Sequence, residues 1–119
     1  VAHNEPAAAV LAAELAARPA RGRTIAVLGM LADKDAAAVV QQLRAHVQSW
    51  VLCSIGEPRG LSAAQLQARL DPGLAVVAQA PDVAAGCARA AALAQPGDRV
   101  LVCGSFHTVG PALQWLGLY

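Results

Sequence analysis

Two short stretches of this chain hold residue types that could do chemistry in close order. In Asp98-Arg-Val-Leu-Val-Cys-Gly-Ser-Phe-His-Thr-Val-Gly110, Ser105 and His107 stand just beyond an apolar run. In Met30-Leu-Ala-Asp-Lys-Asp35, Asp33, Lys34 and Asp35 bring charge together in an otherwise apolar chain. Lys34 and Ser105, with Arg59 and with His3 and Asn4 at the amino end, suit an anionic small molecule. Charge-assisted hydrogen bonds are worth roughly 1.5–3 kcal/mol each, so two or three converging on a carboxylate would hold an amino-acid-sized ligand. Each residue also has a plainer reading: Ser105 as the N-cap of a following helix, His107 as a half-buried residue of its first turn, Lys34 as a solvated loop lysine.

Several chemistries are excluded by what the motifs lack. No strand is followed by G-x-G-x-x-G, and no G-x-x-x-x-G-K-[ST] occurs, so the chain has neither common phosphate cradle. Gly104-Ser105 lacks the flanking glycines of a G-x-S-x-G nucleophile elbow. His3, His46 and His107 are not at metal-ligand spacing with one another or with a cysteine, and no metal site is expected. A net charge of +1, with no basic cluster and 3% aromatic residues, gives no footprint for nucleic acid. Although 56% of residues are apolar, the uninterrupted apolar runs are only strand or short-helix length, and no membrane span is expected. Cys53, Cys87 and Cys103 form no C-x-x-C pair and read as small buried hydrophobes, which with the lack of a signal peptide gives the expectation of a cytoplasmic protein.

The elements that must position these residues follow from periodicity. Asn4-Glu5-Pro6 opens a helix reaching about Ala17, stopped by Arg18-Pro19. Thr24–Leu28 is an apolar run ending at Gly29, and Asp35 caps a helix carrying Val39, Val40, Leu43 and Val47. Trp50–Cys53 is a second strand. Ser62-Ala-Ala-Gln65 has capping-box spacing and opens a short helix with Ala63, Leu66 and Leu70 inward. Leu74–Ala78 is a third strand, Pro81-Asp82 starts an alanine-rich helix to about Leu93, and Val100–Cys103 is a fourth strand, apolar at every position as suits one covered on both faces. A last helix would carry Val109, Leu113 and Leu116. Strands alternating with helices imply right-handed crossovers and an α/β fold with a doubly wound, mainly parallel sheet. If the strands lie in the order third, second, first, fourth, the crevice where the order reverses falls between the loops that carry Lys34 and Ser105.

Val1-Ala-His-Asn4, Met30–Asp35, Glu57-Pro-Arg-Gly60 with Ser62-Ala-Ala-Gln-Leu66, and Leu101-Val-Cys-Gly-Ser-Phe-His-Thr-Val109 resemble, in order and spacing, the carboxyl-terminal domain of the bacterial bifunctional dihydrofolate synthase/folylpolyglutamate synthase family, within the Mur ligase superfamily. The resemblance covers essentially the whole chain and implies a Rossmann-like domain, residues 1–119, of an ATP-dependent ligase. Such enzymes join L-glutamate to dihydropteroate or to a folate's glutamate tail: the acceptor carboxylate is phosphorylated at the expense of ATP and the glutamate amine displaces phosphate. The resemblance implies that Lys34 and Ser105 hold the incoming amino acid's carboxylates. It matches His3 to the histidine of the D-x-A-H-N-P motif beside the nucleotide and reacting groups, as a catalytic residue, and Asn4 to that motif's asparagine. The motif's aspartate would precede Val1, and its proline is displaced by Glu5 to position 6. ATP and magnesium would be bound mainly by an amino-terminal ATPase domain absent here, so the expectation is a fragment of a longer, monomeric enzyme, inactive alone. A stand-alone module that binds a small anion without catalysis, and a cell-wall Mur ligase domain, are the alternatives.

Overall fold

A computed structural model describes residues 5–104. Alanine, the best helix former, dominates the first helix, α1 (Glu5–Ala17), which closes with the Arg18 N–H donating to the Glu14 carbonyl before Pro19. Then follow β1 (Thr24–Gly29), α2 (Ala36–Leu43), a single 3-10 turn (Arg44–His46), β2 (Ser49–Cys53), α3 (Ala63–Ala68), β3 (Val76–Ala80), α4 (Val83–Leu93) and β4 (Arg99–Gly104). The proposed cap at Asn4 and the helix after β4 lie outside the described residues.

The four strands form one sheet in the order β3-β2-β1-β4, every pair parallel, as the alternation of strands and helices predicts. Alternate side chains of each strand enter opposite layers. Ala26, Leu28, Trp50 and Leu52 pack with Ala8, Leu15, Val39, Leu43 and Leu66 of α1, α2 and α3. Ile25, Val27, Val51 and Cys53 pack with Val83, Cys87 and Ala90 of α4. All six residues of β1 are buried, so β1 is the strand sealed on both faces. In β4, expected to be sealed likewise, Val100, Leu101 and Val102 are only half-buried, because β4 pairs with β1 alone among the described strands.

Three elements, β3, α2 and α3, differ from the sequence expectation by more than one residue at a boundary. β3 starts two residues later, at Val76, because Leu74 is spent closing a turn: its N–H donates to the Asp71 carbonyl at 3.0 Å, and its side chain is buried there. Val77 is then an extra residue, since Trp50 pairs with Val76 and Val51 with Ala78. That bulge sends Val76 and Ala78 into opposite layers and leaves Val77 46% exposed on the sheet's edge, where a bulge discourages pairing with a stray strand. The second helix ends at Leu43 and reaches the buried Val47 by its 3-10 turn, while α3 ends at Ala68 and delivers Leu70 to the core by 3-10-type bonds, Arg69 N–H to Leu66 and Leu70 N–H to Gln67. No helix among the described residues is long and apolar enough to cross a membrane.

Candidate functional site

The carboxyl ends of β1 and β4 meet in register, Leu28 opposite Cys103 and Gly29 opposite Gly104. Gly104 has φ +121°, and a side-chain carbon built on it would run into the Gly29 carbonyl oxygen. Only glycine tolerates both that dihedral and that approach, so the two backbones touch where the strand order reverses. This is the switch point at which open α/β sheets bind ligands.

Beyond Gly29 the chain is pinned by Met30, which is fully buried, and pinned again at Ala36, 2% exposed. Asp35 caps α2, its Oδ1 accepting the Ala38 N–H at 3.0 Å. Between these anchors Lys34 is half-buried, and its N–H donates to the Leu31 carbonyl at 3.2 Å. The Lys34 ammonium forms no ion pair among the described residues. It is a cation on the loop that leaves β1 at the switch point.

The loop after β2 is laced to this one. Leu31 and Gly60 form an isolated antiparallel bridge, the Ala32 N–H donates to the Arg59 carbonyl at 2.6 Å, and the Leu61 N–H to the Met30 carbonyl at 3.0 Å. A side chain at Gly60 would overlap the Ile55 carbonyl, which explains the glycine of Glu57-Pro-Arg-Gly60. Arg59, a candidate anion ligand from sequence, does lie beside the Lys34 loop, but its guanidinium is engaged with Asp33 at 3.0 Å. Arg69 donates to the Ala32 carbonyl at 2.7 Å. Sequence reasoning missed the roles of Asp33 and Arg69.

Other polar groups near the strand ends are already committed. Ser54 Oγ accepts the Ala63 N–H at 2.9 Å, and Ser62 and Gln65 complete the capping box of α3. The shallow cavity of about 310 Å3 that Ser54 and Ser62 line with Gln79 and Pro81 therefore offers few free donors. Cys53, Cys87 and Cys103 are free thiols and buried, as the sequence predicts. Desolvation pushes Cys53 and Cys103 up to about 12 and raises Cys87. Buried and protonated at neutral pH, such thiols are poor nucleophiles. Of the residues singled out from sequence, the structure brings Arg59 against the loop that carries Lys34; His3, Asn4, Ser105 and His107 lie outside the described residues. Ser105 directly follows Gly104 in sequence.

A parallel α/β sheet with a lysine-bearing loop at its switch point is the architecture of a ligand-binding domain of the Mur ligase type, and the chain belongs to that family: residues 1–106 match the Mur ligase, glutamate ligase domain. Among its relatives, dihydrofolate synthase/folylpolyglutamate synthase of Escherichia coli strain K12 is 43% identical over 116 residues, covering 96% of this chain and 26% of that protein. The bifunctional synthase of Yersinia pestis, solved with AMPPNP and a manganese ion, superposes with a TM-score of 0.87 at 38% identity, over 98% of this chain and 27% of that one. A bifunctional folylpolyglutamate synthase/dihydrofolate synthase solved with Mn, AMPPNP and L-glutamate gives a TM-score of 0.83 at 38% identity, over 98% of this chain and 28% of that one. The chain thus spans about a quarter of the length of the curated relative it matches.

Proposed function

We propose that residues 1–119 form the glutamate-binding domain of a longer, monomeric, cytoplasmic ligase that adds L-glutamate to dihydropteroate, to a folate's glutamate tail, or to both. The observation that carries this reading is Lys34 on the loop that leaves β1 after the Gly29–Gly104 contact, its ammonium in no ion pair among the described residues, in a domain of the glutamate ligase family. Lys34 binds a carboxylate of the incoming glutamate. Ser105, next in sequence after Gly104, supplies a second donor, and His3 with Asn4 stand beside the nucleotide and the reacting groups.

ATP supplies the energy by activating the acceptor carboxylate as an acyl phosphate, which the glutamate amine attacks. This chain's own part is to bind and orient the amine donor. The described residues fit only a minor share of the nucleotide and metal sites: Asp33 is committed to Arg59 and Asp35 to a helix cap, leaving no pair of free loop carboxylates for magnesium, and there is no phosphate cradle. Those functions fall to the amino-terminal domain, so the 119 residues alone turn nothing over. The test is glutamate-dependent ADP release by the complete enzyme with dihydropteroate and, separately, with a folate acceptor. Activity with neither acceptor, or turnover by the isolated 119 residues, overturns the reading.

A further inference from the structure

Arg59 and Asp33 are 26 residues apart in sequence and make the one ion pair between the two loops at the carboxyl end of the sheet among the described residues. Arg59 acts twice on the residues just before Lys34: its carbonyl accepts the Ala32 N–H at 2.6 Å, and its guanidinium holds the Asp33 carboxylate at 3.0 Å. Both side chains are well exposed, 70% for Arg59 and 47% for Asp33, and a pair so open to water adds little to stability. Its position carries the meaning instead. Asp33 and Asp35 both adjoin Lys34 in sequence; Asp35 is held by its helix cap, which leaves Asp33 as the adjacent carboxylate that could compete with a substrate carboxylate for the Lys34 ammonium.

We propose that Arg59 is a positioning residue of the glutamate site: by holding Asp33 it fixes the loop and keeps that carboxylate away from Lys34. The proposal rests on the reading of Lys34 as a carboxylate-binding residue. It assigns Arg59 no contact with substrate, in contrast to the sequence reading of Arg59 as a ligand. Removing Arg59 would both loosen the loop and release an anion beside the binding cation. Removing Asp33 as well would leave only the loosening.

The experiment measures the KM for glutamate, the KM for ATP and kcat in the complete enzyme for Lys34→Ala, Arg59→Ala, Arg59→Gln, Asp33→Asn and the double variant Asp33→Asn/Arg59→Ala. Arg59→Ala is expected to raise the glutamate KM about tenfold, with ATP KM, kcat and melting temperature nearly unchanged. Arg59→Gln serves as a second neutral variant should the alanine form fold poorly. Asp33→Asn alone should have a smaller effect, and the double variant should recover most of the loss of Arg59→Ala. A double variant no better than Arg59→Ala shows that a released Asp33 carboxylate is not what weakens glutamate binding and overturns the proposal, as does an unchanged glutamate KM in both Arg59 variants while Lys34→Ala raises it. If Lys34→Ala itself leaves the glutamate KM unchanged, the underlying reading of Lys34 fails and the proposal with it.

Discussion

Asp98 ties the starts of two strands together: its Oδ1 accepts the Arg23 N–H at 2.8 Å, across 75 residues of sequence, while its Oδ2 accepts the Gln95 N–H at 2.9 Å. The Gln95 bond, then the Arg23 bond, hold the Asp98 carboxyl below the usual carboxylate range. Asp71 is held low in the same way by the Gly73 N–H and the Arg44 guanidinium. A carboxyl with a depressed folded pKa contributes stability that is present above its unfolded pKa, about 4, and is lost as pH falls through the folded value. The urea midpoint should therefore be level from pH 7 to about pH 5 and decline below that. Asp98→Asn should lower the neutral-pH midpoint and flatten the acid limb. An acid limb unchanged by that substitution would show that Asp98 does not govern it.

The contact between Gly29 and Gly104 should resist any side chain. Gly104→Ala must accept both a left-handed backbone and overlap with the Gly29 carbonyl, so a loss of about 2 kcal/mol or more in unfolding free energy is expected. If strand β4 shifts instead to relieve the overlap, the Lys34 loop and the end of β4 part, and the glutamate KM of the complete enzyme rises. A variant of unchanged stability and unchanged kinetics would show that the backbones do not meet as described.

Lys34 and Ser105 can be separated by kinetics. Lys34→Ala in the complete enzyme should raise the glutamate KM about tenfold, equivalent to roughly 1.4 kcal/mol, while the KM for ATP barely moves. Equal effects on both substrates would assign Lys34 to domain closure rather than to glutamate. Ser105→Gly should likewise raise the glutamate KM with little change in melting temperature, since glycine replaces a capping serine at a cost of only a few tenths of a kcal/mol. A lowered melting temperature with normal kinetics would return Ser105 to capping.

The cysteines should be silent in the folded protein. Cys53, Cys87 and Cys103 are each at most 1% exposed, and burial raises all three thiol pKa values, so both access and thiolate fraction are suppressed. A thiol reagent at pH 8 should label the chain at the rate of its opening, and urea should accelerate labelling of all three together. Rapid labelling of one site in the absence of denaturant would show that its layer of the core opens locally.

Much of the scaffold is written in local signals. Asp35 and Ser62 cap the helices that follow, as expected, and Asp82 caps the helix expected to start at Pro81-Asp82, because capping involves only residues three apart. The parallel sense of the strands follows from helical connections of uniform hand, whereas the order β3-β2-β1-β4 is one of several that such connections allow. Where β3 begins does not follow, since Leu74 and Val76 are equally apolar and only the turn at Asp71 and the bulge at Val77 decide between them. The Asp33–Arg59 pair is hidden for a related reason: it joins two exposed loops whose approach is set by the Leu31–Gly60 bridge, and neither loop's own pattern points to the other. Lys34 stands out in sequence because a cation on the loop after a strand is conspicuous in so apolar a chain.

The pairing of β1 with β4, Thr24 opposite Arg99 through Gly29 opposite Gly104, has a consequence for how the domain is made. During synthesis β1 leaves the ribosome early and can pair with β2 and gain α2 and α3 while one of its edges stays open. That edge can be filled only when β4 follows. Long-range parallel pairing is slow, and an open apolar edge is the part of a nascent chain most exposed to wrong partners. The same late event brings Gly104 against Gly29, so the switch point between β1 and β4 exists only once β4 has docked. A nascent domain stalled before that step would carry a sheet of β1, β2 and β3 without it.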